Sequence, residues 1–415
     1  MQLQGSLTML RLALIFAVCH AAAIPSRAAE YEFDGPPHNY WKRPLHDPFT
    51  KFIGEMEAGR VKLDGSGELP YLRSLLSALK VPVSSQMLVF SNTSLQLRLI
   101  SPRSPRALFF NEDIYVGYIP GGRIEIVSID PEAGGIFYIF DIPRDGGAFK
   151  AERSDRCMNC HAKEETFYVP GLFIKSVVPL ATGGNLQAFR QKQSGHAIPF
   201  AERFGGWYVT GKHGIAEHWG NALGRNSPEG ILQKVPLEPG KLFDYARYPV
   251  AGSDILPQLL HEHQAGFVNR VLEATYKTRD VMNPSKGKPS AAENTTLDEL
   301  ARALVRYILF ADEAPLPGVE GDSAFKADFQ KSGIAVLRDF DLKTRLFKNR
   351  CSYMIDSAVF AGMPREMKLR VYRQLALALG EAQPDKAFAY LPVAEKRVIR
   401  AVLRGALKDA PAGWF

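Results

Sequence analysis

The sequence predicts an α+β fold, an antiparallel β-rich part followed by a helical C-terminal part, and three observations carry that expectation. From Gln86 to Phe140, short runs rich in Val, Ile, Phe and Tyr alternate with turn signals, the pattern of neighbouring antiparallel strands. Beyond Gly252 the apolar residues recur at helical spacing instead. At 415 residues the chain is long enough for two domains, or for one large core with additions. The expected division is a signal peptide over 1–28, a β-rich part over 29–250 and a helical part over 251–415.

Taken in order, Arg11 is followed by a run, 12–24, that is apolar apart from His20, and Ser26-Arg27-Ala28 places small residues where a signal peptidase cuts. The run is too short to span a bilayer, and no later stretch approaches eighteen consecutive apolar residues. An exported protein, periplasmic or secreted, with no integral membrane span is therefore expected. Met9 is the more usual opening, and Cys19 falls inside the discarded segment. Removing Arg11 and Arg27 lowers the formal net charge from +7 by two, to +5. No basic stretch interleaved with aromatics suggests nucleic acid binding. The cluster Arg98, Arg103 and Arg106 reads as a solvated turn.

Pro36-Pro37-His38-Asn39-Tyr40-Trp41 suggests an irregular strap held down by aromatic burial. Leu72, Leu75, Leu76 and Leu79 then give residues 69–81 one apolar helical face, which Pro82 closes. Strands are expected over 87–90, 95–100, 107–110, 114–119, 124–127 and 136–140, joined by loops such as Pro120-Gly121-Gly122. Another strand-like run covers 172–178. Leu256, Leu259, Leu260, Phe267, Val271 and Leu272 mark one face of a long helix over 255–281. A polar linker follows Pro284, and Thr296-Leu297-Asp298-Glu299 reads as a capping box opening a helix to about residue 310. Two more helices are expected over 364–379, stopped by Gly380, and over 394–407.

The chemistry concentrates at Cys157-Met158-Asn159-Cys160-His161, the spacing of c-type haem attachment. Each thiol adds to one vinyl group of a porphyrin, and the adjacent imidazole is then held under the iron as its proximal ligand. One box means one covalent haem c. Zinc would need two further ligands, and Cys19 and Cys351 offer no second pair. A redox dithiol would open a helix after a strand in a βαβ unit, which does not surround this motif. With two cysteines committed, Cys351 is left a free thiol.

These residues resemble those of c-type cytochromes. The stretch 204–221, dense in Gly, aromatic residues and His, is similar to one in large monohaem cytochromes of Gram-negative bacteria that have no assigned role. The resemblance gives residue-level meaning to the haem box alone. Small c-type cytochromes carry the box at the end of a longer amphipathic helix. Here only 148–156 precede it, so the box is expected at the edge of the β region.

What stands on the opposite face of the iron separates a carrier from a catalyst. His213 and His218 lie in the Gly- and aromatic-rich stretch, and their spacing lets at most one of them bind. His263 falls on the apolar stripe of its helix, whereas His261 does not. Met282, Met354 and Met363 are lesser choices, and Met158, between the tethering cysteines, cannot reach round the ring. Arg203, Lys212 and Arg225 could neutralise haem propionates. The expected function is one-electron transfer with a redox partner protein or a small-molecule donor or acceptor. The alternative is a haem oxidoreductase, peroxidase-like, with an open distal face.

Overall fold

Among the described residues seven strands form one antiparallel sheet, and the Cys157–His161 box follows directly on its edge strand. The structure, a computed structural model, describes residues 33–143, 147, 149–189, 194–382 and 385–415. The expected signal peptide, with Met9 and Cys19, lies outside the described residues.

Helices α1 (Pro48–Glu57) and α2 (Glu68–Ala78) come first. Asp47 starts α1, its carboxylate accepting from Phe49 N and Thr50 N with Pro48 in the first turn. The strands are β1 (Met87–Val89), β2 (Arg106–Phe110), β3 (Ile114–Tyr118), β4 (Ile124–Asp130), β5 (Gly134–Phe140) and β6 (Glu152–Arg153). The one-turn helix α3 (Met158–His161) carries most of the box. Two further ribbon strands, β7 (Val177–Pro179) and β8 (Asn185–Ala188), precede β9 (Trp207–Tyr208), and β10 (Ala222–Asn226) pairs with β11 (Leu232–Pro236). The helical part holds α4 (Ile255–Val281), α5 (Ala291–Ile308), α6 (Ser323–Gln330), α7 (Ala358–Ala361), α8 (Arg365–Ala378) and α9 (Val393–Ala406). The main sheet runs β6-β5-β4-β3-β2-β1-β9.

Strand alternation gives the sheet two unlike faces. Ala107, Phe109, Val116, Tyr118, Ile124, Ile126, Tyr138 and Phe140 share one face, and all are buried. Phe49 of α1 stacks there against Tyr138 and Phe140, and Tyr118 reaches Glu68 of α2. On the other face Phe110, Tyr115, Val127 and Phe137 form one cross-strand row, and Leu108, Gly117, Glu125 and Ile139 the next. Leu108, Glu125 and Val127 in these rows are only half-buried.

Helix α4 crosses this second face. Tyr115 Oη donates to Gln264 Oε1, Asn269 binds the loop after the box, and Tyr276 Oη donates to Ala133 O. The opposite side of α4 packs on α5, α7 and α8. Every position from 255 to 269 is therefore buried, where one apolar stripe suggests a surface helix.

Three local expectations are corrected. The run 95–100 is no strand: its leucines Leu95, Leu97 and Leu99 face solvent around a short 3-10 turn. Gln96 bonds the backbone of Arg123 through both amide atoms, taking the place of a strand partner. Of 172–178 only the end pairs as a strand, because Asn269 occupies the backbone groups of Leu172. The capping box of α5 is Ser290 with Glu293, one turn or more before the expected Thr296, whose hydroxyl bonds back to Ala292 O inside the helix.

Candidate functional site

Strand β6 is the edge of the sheet, and the chain passes from it almost directly into the box. Ser154 N donates to Phe137 O, continuing the β5–β6 pairing by one step. Asp155 O, Arg156 O and Cys157 O then accept from Met158, Asn159 and Cys160, so the box closes as a single helical turn. Met158 is 1% exposed and anchors that turn in the core. Cys157 is half-buried and Cys160 exposed, and neither is in a disulfide. Burial pushes the Cys157 thiol up to about 11, so it stays protonated.

The imidazole of His161 lies against Phe137, with ring centroids 4.5 Å apart, and meets Phe173 edge-on at 6.2 Å. Its Nδ1 is 2.9 Å from Gly171 O. A carbonyl oxygen only accepts, so Nδ1 carries the proton and donates it, leaving the lone pair on Nε2. Burial pushes this imidazole down to about 4, and the bond to Gly171 O opposes that shift.

The loop holding His161 is fixed from both ends. Gly171 N and Thr166 Oγ1 both donate to His161 O. Asn269 of α4 accepts from Leu172 N at 2.7 Å and donates to Leu172 O at 2.8 Å. Glycine is required at 171, because a Cβ there would lie 2.5 Å from Asn269 Oδ1. Phe167 and Tyr168, at φ +55° and +59°, turn the chain back between box and loop.

Beside the box lies the half-covered part of the sheet. Arg106 Nη1 is 2.8 Å from Glu125 Oε2, and both charges act on His161. Leu108 and Val127 supply apolar surface next to them, and Gly117 leaves the middle of this floor without a side chain. A Cβ at Gly117 would meet Glu125 and Leu108 at 3.4 to 3.5 Å, in ordinary van der Waals contact.

The other expected residues lie elsewhere. His213 and His218 come together, edge to face at 5.2 Å, near the α4 cap Asp254. His218 Nδ1 accepts from Gly220 N, and burial lowers both histidines, His218 to about 4. No contact among the described residues links either of them to His161. His263 is 0% exposed, with Nδ1 at 2.8 Å from His196 Nδ1 and Nε2 at 2.8 Å from Ser352 Oγ. Both ring nitrogens are thus engaged on the helical side of α4, the arrangement of a satisfied core histidine. Met354 and Met363 are buried in the helical part, and Met282 is exposed at the end of α4. Arg203 is buried in a pair with Glu262 at 3.2 Å. Lys212 pairs with Glu320, and Arg225 bonds Gln233, both at the surface. The cation next to His161 is Arg106, which sequence reasoning placed in a solvated turn.

What this arrangement could hold is a covalent haem. Two unpaired thiols sit one helical turn apart, the adjacent imidazole presents Nε2 with its other nitrogen satisfied by a backbone carbonyl, and a half-covered apolar floor with one arginine lies alongside. Among the described residues no three or more His, Cys, Asp or Glu side chains are gathered into a metal-holding group. Among the described helices none is long and apolar enough to cross a membrane. Comparison with models of known protein families, with curated proteins and with solved structures finds no match to this chain.

Proposed function

We propose that the protein is an exported monohaem c-type cytochrome, with haem c attached at Cys157 and Cys160 and ligated by His161, passing single electrons between redox partners. The observation that carries this reading is the hydrogen bond from His161 Nδ1 to Gly171 O. A histidine that ligates a metal almost always gives its second nitrogen's proton to a carbonyl, carboxylate or water, which fixes the tautomer and aims the ring. Here the histidine follows directly on the Cys-x-x-Cys spacing, and a 27-residue helix holds the loop of its carbonyl partner through Asn269.

Bound haem supplies a one-electron redox centre whose potential depends on axial ligation, burial and hydrogen bonding. The residues do the rest. Cys157 and Cys160 would hold the group, each thiol adding its sulfur to one vinyl carbon and its proton to the neighbouring one, so that attachment would consume two reduced thiols and no oxidant. Gly171 holds the Nδ1 proton and makes Nε2 the more basic donor. Arg106, paired with Glu125, would be the cation available to a propionate. Cys160 is exposed, so a group held there would be reachable by a partner for electron exchange. An open distal face would favour the haem-dependent oxidoreductase instead.

Expression with a c-type maturation system tests the reading. The wild type is expected to keep haem stain through a denaturing gel, C157A/C160A to lose it and C351A to keep it. Colourless wild-type protein, or stain that survives loss of both cysteines, would overturn the proposal.

A further inference from the structure

We infer that the exposed side of α9, with the basic segment around it, docks the protein on an anionic lipid surface. Residues 364–415 carry ten Lys and Arg against five Asp and Glu, a net +5, whereas the 363 residues before them carry 41 against 39. Four of those five acids are already engaged. Glu395 turns inward and takes Arg350, and Asp385 pairs with Arg302, both cations from outside the segment. Asp409 takes Lys368, and Glu381 takes Arg397. The charges of Arg400 and Lys396 also act on that one Glu381 carboxylate. Arg365, Arg373, Lys386 and Lys408 are exposed and make no salt bridge among the described residues.

Helix α9 gives that charge a face. Its only acid is Glu395, against Lys396, Arg397, Arg400 and Arg404. Ile399 and Leu403 are 0% exposed and set its inner side. Ala394, Arg397, Val398, Ala401, Arg404 and Gly405 are exposed, and at 3.6 residues per turn they fall within an arc of about 120°. No acid stands on that arc, and Lys408 continues its charge just past the helix. Val398 is 41% exposed, Val393 in the first turn 50%, and Leu377, four residues before Glu381, 55%. The Arg397–Glu381 pair, at 2.7 Å, brings the end of α8 up to α9. Apolar side chains therefore stand among the cations and not apart from them.

A lipid surface fits this combination. Lysine and arginine gain from headgroup phosphates within a Debye length of an anionic leaflet, and exposed Val and Leu side chains enter the boundary between headgroups and acyl chains. A protein partner is held instead through shape complementarity around buried aromatic anchors. The exposed arc of α9 carries no aromatic residue. Neither the recess along 339–343 nor the one beside His196 includes a residue of α8 or α9. A bilayer requires no such match. Docking of this kind needs no spanning helix and is independent of what Cys157 and Cys160 carry.

Co-sedimentation of the whole protein with lipid vesicles tests this. Binding is expected to vesicles of equal parts phosphatidylglycerol and phosphatidylcholine, to weaken as salt is raised, and to be absent with phosphatidylcholine alone. R404E/K408E is expected to bind more weakly by about tenfold or more. Arg404 Nε also holds Phe415 O, whereas the Lys408 side chain makes no bond among the described residues. K408E alone is therefore expected to weaken binding by about threefold, and far-ultraviolet circular dichroism checks that both variants stay folded. R98E/R103E makes the same change in net charge at another exposed basic site and is expected to bind as the wild type does. No binding to the anionic vesicles, equal binding to phosphatidylcholine alone, or equal weakening by R98E/R103E would overturn the proposal. So would binding to poly-glutamate without binding to the vesicles, which would give this face to an acidic protein.

Discussion

His161 is held by a relay of three residues, and each link has its own cost. Asn269 satisfies both backbone groups of Leu172 inside the protein. Asn269→Ala leaves a buried N–H and a buried C=O unpaired, at about 1–3 kcal/mol for each group. A loss of about 2–4 kcal/mol in urea unfolding is expected, and a loss below about 0.5 kcal/mol would show that the loop does not depend on this contact. Gly171 and Asn269 could not be picked out of the sequence, because a glycine in a loop and an asparagine in a helix carry no signal of a contact 97 or 98 residues distant. The box itself was legible, since its spacing is dictated by the ligand and not by the fold. The His196–His263 pair allows a second residue-scale prediction. Burial is the main cause holding both imidazoles below their ordinary range, and the charges of Arg270 and, for His196, Arg203 add to it. Tyr307, Phe310 and Ser352 complete the surroundings. Above about pH 6.5 both are neutral in either state and their contribution is fully present. Below it the unfolded chain binds protons that the folded protein refuses, so stability falls with acid by up to about 1.4 kcal/mol per pH unit for each histidine. His263→Gln is expected to flatten that slope between about pH 6.5 and about pH 4.5 in denaturant titrations, and an unchanged slope would contradict it.

Helix α4 is the element that carries the site. Its ends were legible in the sequence: the expected span 255–281 is the observed one, because Asp254 caps the start and Met282 follows the last turn. Its orientation was not. A single apolar stripe is the mark of a helix with one covered face, and that reasoning favours His263 over His261. Helix α4 has the sheet on one side and α5, α7 and α8 on the other, so position on a stripe no longer tells which histidine meets which layer. The second serine- or threonine-led box misled in the same way: Ser290 and Thr296 each precede a glutamate by three residues, and only the first satisfies N-terminal amides. Gly117 lies buried in the floor beside the Arg106–Glu125 pair, with Glu125 and Leu108 against it. Gly117→Leu sets a side chain against Glu125 and Leu108 on that face while the opposite face of the sheet is untouched. The variant is expected to fold with a wild-type far-ultraviolet circular dichroism spectrum but to mature with less than a tenth of the wild-type haem content. Full haem loading in a folded G117L protein would show that the floor is not where the porphyrin lies.

At the scale of the molecule, the division into a β-rich part and a helical part was legible because period two and period 3.6 occupy separate stretches of chain. The expected boundary at 250/251 falls just ahead of α4, the helix that both halves share. One cluster of buried apolar side chains extends across them, from Phe33 to Phe415. Cys351 lies inside it at 0% exposure, and burial pushes its thiol up to about 12. Thiol titration is therefore expected to find no reactive sulfur in the native holoprotein and one after denaturation, whereas three after denaturation would mean that Cys157 and Cys160 carry nothing. The most direct test of the account is the intact mass of the matured protein under denaturing conditions. The account predicts a chain heavier by one haem, shifting to the bare chain mass in C157A/C160A and unshifted in C351A. A wild-type mass equal to the bare chain, with red colour lost on denaturation, would contradict it.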